Sequence, residues 1–144
     1  MNKEQKRIAR CACLKILYAN SSSGNIFSDV LDNFFTTNKE SEGFLNKDQV
    51  KYATLLFDLT TTNMDQLDDL IKSKLQNWKI ERVALMDKMI LRMSLAEMLY
   101  INSVPPKVSI SEGVEIAKEF STEDSSSFVN GILDAVYNEK KDSL

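Results

Sequence analysis

Histidine is absent from the chain. Its absence removes imidazole-based serine or cysteine triads, His-ligated zinc and histidine acid–base chemistry together. Glycine and proline are scarce, at four and two residues, against an average usage of roughly 12% for the pair. A β-sandwich or barrel needs turn residues at regular short intervals, so the shortage points to helices. No apolar run approaches the ~18 residues of a membrane span, and residues 1–10 lack the apolar core of a secretory signal. The expectation is a cytoplasmic protein without membrane association. The two cysteines, Cys11 and Cys13, stand two apart in a helical segment, about 200° around its axis. That spacing suits neither a mutual disulfide nor a zinc site, and both are read as packing residues. No Gly-rich phosphate loop, paired-cysteine zinc pattern or EF-hand loop occurs. Asp65, Asp68 and Asp69 read as a solvated helix face. Neither an enzyme nor a bound metal or cofactor is expected.

What the 144 residues do contain is helical patterning, with 43% hydrophobic and 27% charged residues. Ile8, Ala12, Ile16 and Ala19, flanked by Ala9, Cys13 and Leu17, predict a first helix over residues 3–19. Residues 20–24 supply serines and a glycine as a loop. Ile26, Phe27, Val30, Leu31, Phe34 and Phe35 predict a short second helix, followed by a polar loop over 36–45. Asn46 with Gln49 three residues on marks a cap for the third, whose stripe runs from Val50 to Leu75. Thr60, Thr61, Thr62 and Asn63 are weak helix formers and predict a bend or break inside it. Trp78 is read as core. Residues 83–101 are apolar on nearly all faces, which predicts a central helix, its methionines filling core. Pro105 and Pro106 set a corner. Ser109 and Glu112 match a capping box for a helix ending near Phe120, and residues 121–124 suit the start of a last helix reaching Tyr137. The tail, 138–144, is expected to fray. No repeat or linker divides the chain, so residues 1–144 read as one all-α domain of six or seven helices.

The net charge of −3 argues naively against a nucleic-acid partner, but it is unevenly spread. Lys3, Lys6, Arg7, Arg10 and Lys15 face Glu4 alone in the first 19 residues, leaving 13 basic against 20 acidic groups in the rest. Lys3, Lys6, Arg7 and Arg10 share a sector of about 100° on a helical wheel, away from the Ile8/Ala12/Ile16 stripe. Leu14 and Tyr18 continue that side. Cations leading to an aromatic ring suit a single-stranded nucleic acid, and equally a solvated face pairing with an acidic body. Gly113 and Gly131 both fall inside predicted helices, where each costs about 1 kcal/mol relative to Ala. Close helix–helix approach is the expected reason for both. Around Gly131, Phe128, Asn130 and the hydroxyls of residues 121–127 gather at or near a helix start, where free N–H groups could hold an acceptor.

The run Pro105-Pro106-Lys107-Val108-Ser109-Ile110-Ser111-Glu112-Gly113-Val114-Glu115-Ile116-Ala117-Lys118 resembles the P-x-K-V-x-I-N-E-x-V-E-L-A-K stretch of the NusB antitermination-factor family. Phe120, Asp124-Ser125 and Phe128-Val129-Asn130-Gly131-Ile132-Leu133-Asp134 continue it as that family's F-x-x-x-D-S-x-x-F-V-N-G-V-L-D. Upstream, the segment from Asp87 through Ile90-Leu91-Arg92 to Glu97-Met98 is similar to the family's acidic-x-x-[IV]-L-R helix. Arg7-Ile8-Ala9-Arg10 with Leu17-Tyr18 resembles its R-x-A-R…A-L-Y opening. These segments cover about half of the chain, and residues 20–80 follow only the helical pattern.

The resemblance implies an all-helical fold of two small bundles and a role in antitermination on ribosomal RNA operons. It implies binding of boxA-type single-stranded RNA together with the ribosomal protein NusE, and an indirect link to the RNA polymerase elongation complex. By matched position, Lys6, Arg7 and Arg10, with Lys3 beside them, take the place of RNA-binding cations. Phe120, Asp124 and Phe128 fall at RNA contacts, and Tyr18 and Asp87 at positions holding NusE. Capping of the last helix is an equal alternative for Asp124. Ile8 and Cys11 stand where the family often has basic or charged residues, which implies a stronger dependence on NusE. Monomer and homodimer both stay open, as does a helical protein–protein interaction module without direct RNA contact.

Overall fold

The computed structural model describes residues 1–23, 45–76 and 79–144. The helix expected over 26–35, the loop after it to residue 44, and Trp78 lie outside the described residues. Two amide side chains start two helices in the same way. Asn2 Oδ1 accepts from the Gln5 amide at 2.8 Å while Gln5 Oε1 accepts from the Asn2 amide at 3.0 Å, opening α1, Lys3–Ser23. Asn46 and Gln49 repeat this at 2.8 and 2.9 Å at the head of α2, Lys47–Thr62. Each exchange satisfies two amides that a helix start leaves without partners. The Gln49 amide nitrogen also donates to the Gln5 carbonyl at 3.0 Å, so one cap is tied to the other. α1 runs four residues beyond the expected end. Ser21 Oγ donates to the Tyr18 carbonyl at 2.8 Å, so a serine bonds back to the turn instead of breaking it.

The described chain falls into two compact units, Met1–Asp58 and Leu59–Leu144. The core of the first is Ala9, Ala12, Cys13, Leu14, Ile16 and Leu17 of α1 with Ala53, Leu56 and Phe57 of α2. Each such Leu, Ile or Phe contributes about 1.5–3 kcal/mol by leaving water.

The expected interruption is a break, and it falls on Asn63. Its side-chain nitrogen donates to the Leu59 carbonyl at 2.8 Å, and α3, Met64–Lys74, starts directly after it. A 3-10 turn at Ile80–Arg82 leads into α4, Leu85–Tyr100. α4 is the central helix of the second unit, packing against α3, α5 (Pro106–Phe120) and α6 (Glu123–Lys140). Met89, Met93 and Met98 are buried, as core filling requires. The Arg92 guanidinium grips Asp68 on α3 through two parallel bonds, Nε to Oδ1 at 2.7 Å and Nη2 to Oδ2 at 2.9 Å. Asp68 is therefore a tertiary anchor and not part of a solvated face.

Two further boundaries differ from the sequence pattern. α5 begins at Pro106, whose fixed φ and missing N–H suit the first helical position. Ser109 consequently sits inside the helix, buried, and donates from Oγ to Glu97 Oε1 at 2.8 Å; Glu112 is buried as well, so the pair is no capping box. α6 continues to Lys140, and a 3-10 turn at Lys141–Ser143 follows where fraying was expected. Lys74 Nζ lies 3.3 Å from Glu139 Oε1, tying this end of α6 to α3. Gly113 marks a close approach: a Cβ there would lie 2.6 Å from Ser94 Oγ on α4 and 3.1 Å from Leu133 Cδ1 on α6. Gly131 does not, since a Cβ would meet nothing within 4 Å. Close packing explains only the first glycine.

Candidate nucleic-acid interface

In the first unit the cationic residues cluster in the first two turns of α1, but not on the surface the wheel suggests. Lys3 is exposed, Lys6 and Arg7 are half-buried, and Arg10 is only 3% exposed. Leu14, expected to continue the cationic side, is 1% exposed, whereas Ile8, expected in the core, is 45% exposed. Of the Ile8/Ala12/Ile16 stripe only Ile8 is exposed, and the buried face of α1 extends past Ala12 and Ile16 to Cys13, Leu14 and Leu17. Apolar residues cover more than half of the helix circumference, so the pattern does not select which part meets the core. Lys6 Nζ stands 5.6 Å from the centroid of the buried Tyr52 ring on α2, a cation–π contact that orients the ammonium. The solvent-facing side of α1 carries Arg7, Ile8, Cys11, Lys15 and Tyr18, with Tyr18 45% exposed.

In the second unit the site is built around the turn between α5 and α6. Phe120, half-buried, is the last residue of α5, and Ser121 follows as its C-cap. Thr122 caps α6, its Oγ1 accepting from the Ser125 amide at 3.0 Å. Capping therefore belongs to Thr122. Asp124, exposed in the first turn, is left to favour the helix dipole and to face solvent. Phe128 follows one turn later on the same face of α6, half-buried beside an open groove of about 400 Å³. Leu75, Gly131, Ile132 and Ala135 also line this groove, with Lys74 at its edge.

Asp87, in the first turn of α4, is 6% exposed. Its Oδ1 accepts from Ser121 Oγ at 3.1 Å and its Oδ2 from Ser125 Oγ at 3.0 Å. The two serine oxygens are themselves 2.9 Å apart. The hydroxyl-rich composition of residues 121–127 signalled a polar cluster, but its partner 34 residues upstream in the chain was invisible to local pattern. Among the described residues no three potential metal-ligating side chains gather, and no helix is long and apolar enough to cross a membrane.

The NusB family model matches residues 7–138, from Arg7 in α1 to within two residues of the end of α6. The chain belongs to the NusB family. A transcription antitermination protein NusB of Chloroherpeton thalassium is 44% identical over 109 residues, 72% of this chain and 52% of that protein's length. This chain thus spans about half of that relative. The NusB of Natranaerobius thermophilus is 34% identical over 135 residues, 93% of this chain and 95% of the relative. The fold is also that of a solved structure of antitermination factors NusB and NusE in complex with double-stranded RNA. There the TM-score is 0.83 at 24% identity, covering 96% of this chain and 99% of the other. Members of the NusB family are regulators, not enzymes, and this chain takes that class with them.

Proposed function

We propose that the chain is a transcription antitermination factor that binds boxA RNA of ribosomal RNA operons together with NusE, acting as one cytoplasmic unit in the elongation complex. The observation that carries this reading is the span of the family match, which includes Arg7 and Arg10 of α1 and the Asp124/Phe128 face of α6. Lys3, Lys6 and Arg7 would position the RNA backbone, because phosphate contacts with cations set register without reading sequence. Phe128 and Phe120 offer ring faces on which unpaired bases stack. Asp124 repels phosphate but accepts a hydrogen bond from a base amino group, so it contributes selectivity. Arg10, buried, contributes from within the first unit. Tyr18 and Ile8, both exposed on α1, offer NusE apolar contacts.

That same exposed Ile8–Tyr18 side favours the second reading, a protein-interaction module without RNA contact. A titration of a boxA oligonucleotide across salt, with and without NusE, separates them. With about three phosphates neutralised, log K falls with log salt at a slope near −2. The triple change Lys3→Glu, Lys6→Glu and Arg7→Glu abolishes RNA binding and leaves NusE binding intact. Salt-independent or absent RNA binding in the presence of NusE leaves the interaction module as the function.

A further inference from the structure

The first turns of α1 and α2 are joined twice. Gln49, buried in the first turn of α2, donates from Nε2 to the Gln5 carbonyl at 3.0 Å. Three residues further along the same face of α2, the buried Tyr52 ring has its centroid 5.6 Å from Nζ of Lys6, the residue next to Gln5. The hydrogen bond sets how closely the two helix starts approach, and the ring then meets the half-buried Lys6 side chain.

A ring holds an ammonium differently from a carboxylate. A carboxylate would cancel the charge that a phosphate is to meet, whereas a ring face attracts the cation through its quadrupole and leaves the unit charge in place. The ammonium has three N–H donors, so a second partner can still be served. Lysine otherwise swings on a flexible four-carbon stem that has to be immobilised when it meets a phosphate, and that ordering weakens binding. With the ring beside it, part of the freedom is already lost when the protein folds.

We propose that Tyr52 is a positioning residue for RNA binding: its ring orders the Lys6 ammonium, still charged, before a backbone phosphate of boxA RNA arrives. This role rests on the RNA-binding reading above and adds to it an uncharged residue of α2 that lies in the core. Four variants of the full chain test it: Tyr52→Leu, Tyr52→Phe, Lys6→Gln and the pair Tyr52→Leu/Lys6→Gln. Affinity for a boxA oligonucleotide is measured with NusE present across a salt series, and the Lys6 ε-methylene protons are followed by NMR in the free chain.

Those protons should be shifted upfield by the ring in the wild type and in Tyr52→Phe, and not in Tyr52→Leu. Tyr52→Leu should weaken RNA binding roughly two- to tenfold, the scale of ordering one flexible side chain. Its salt slope should stay that of the wild type, because Lys6 still reaches the phosphate, whereas Lys6→Gln should flatten the slope by about 0.7. Tyr52→Phe, which keeps the ring face, should keep most of the affinity. The pair should bind no more weakly than Lys6→Gln, since the ring acts only through the ammonium. A Tyr52→Leu loss that persists undiminished in the Lys6→Gln background overturns the proposal, as does unchanged affinity or an unshifted wild-type signal. A flattened slope in Tyr52→Leu overturns it too, because the cationic face itself has then been lost. Binding by the wild type without any effect of Tyr52→Leu removes the positioning role alone; a wild-type chain that fails to bind boxA with NusE removes the RNA reading with it. Should Tyr52→Leu fail to fold, Tyr52→Met fills the space with a flexible chain and carries the same comparison.

Discussion

Replacing each helical glycine by alanine should move stability in opposite directions. At Gly113 a Cβ would stand 2.6 Å from Ser94 Oγ, 3.3 Å from Ser94 Cβ and 3.1 Å from Leu133 Cδ1. Rotating the Ser94 hydroxyl relieves the first contact but not the second, because Cβ is fixed by the α4 backbone. Insertion of a methyl group into such a packed junction costs typically 1–3 kcal/mol. Alanine recovers about 1 kcal/mol of helix propensity. The net for Gly113→Ala is a loss of about 1 kcal/mol. At Gly131 no atom lies within 4 Å of the added methyl, so the propensity gain stands alone. Gly131→Ala is stabilised by roughly 0.5–1 kcal/mol. For a chain of this size that separates the two melting temperatures by about 5–8 °C, measured by far-UV circular dichroism. Equal shifts of the same sign, or a destabilised Gly131→Ala, would refute the account of why each glycine is there.

Other perturbations follow from single contacts. Arg92→Ala removes a two-bond grip and strands the mostly buried Asp68, costing about 2 kcal/mol in urea denaturation, and Asp68→Ala should cost little more on top of it. Thr122→Ala should lose about 1 kcal/mol by removing the cap of α6, whereas Asp124→Asn should lose only a few tenths; equal losses would return a capping role to Asp124. Phe57→Ala empties a fully buried site between helices of the first unit and should cost about 3–5 kcal/mol, read from the same denaturation curves.

The central helix, the break at Asn63 and the Asn46 cap were legible because each depends on local chemistry. Residues 83–101 are apolar on nearly every face, so no choice of packing direction had to be made. Asn63 and the three threonines before it weaken a helix in any context. The Asn46/Gln49 exchange needs only four consecutive residues. The Ser109/Glu112 pair shows the limit: it has capping spacing, yet Pro106 starts the helix earlier and both side chains are buried.

For the candidate site, the chain alone determined which residue types occur and in what order: cations in the first turns of α1, then an acidic and aromatic run around the start of α6. Tertiary structure decided which of them face solvent. Arg10 and Asp87 carry charge and would be placed outside by composition, but one is enclosed in the first unit and the other is bound by two serines. The physical reason is that α1 is apolar over more than half of its circumference, and the Asp87 network joins positions 34 and 38 residues apart. Helical periodicity records spacing along one element; the direction of burial and the partners of a buried charge exist only once the elements have packed.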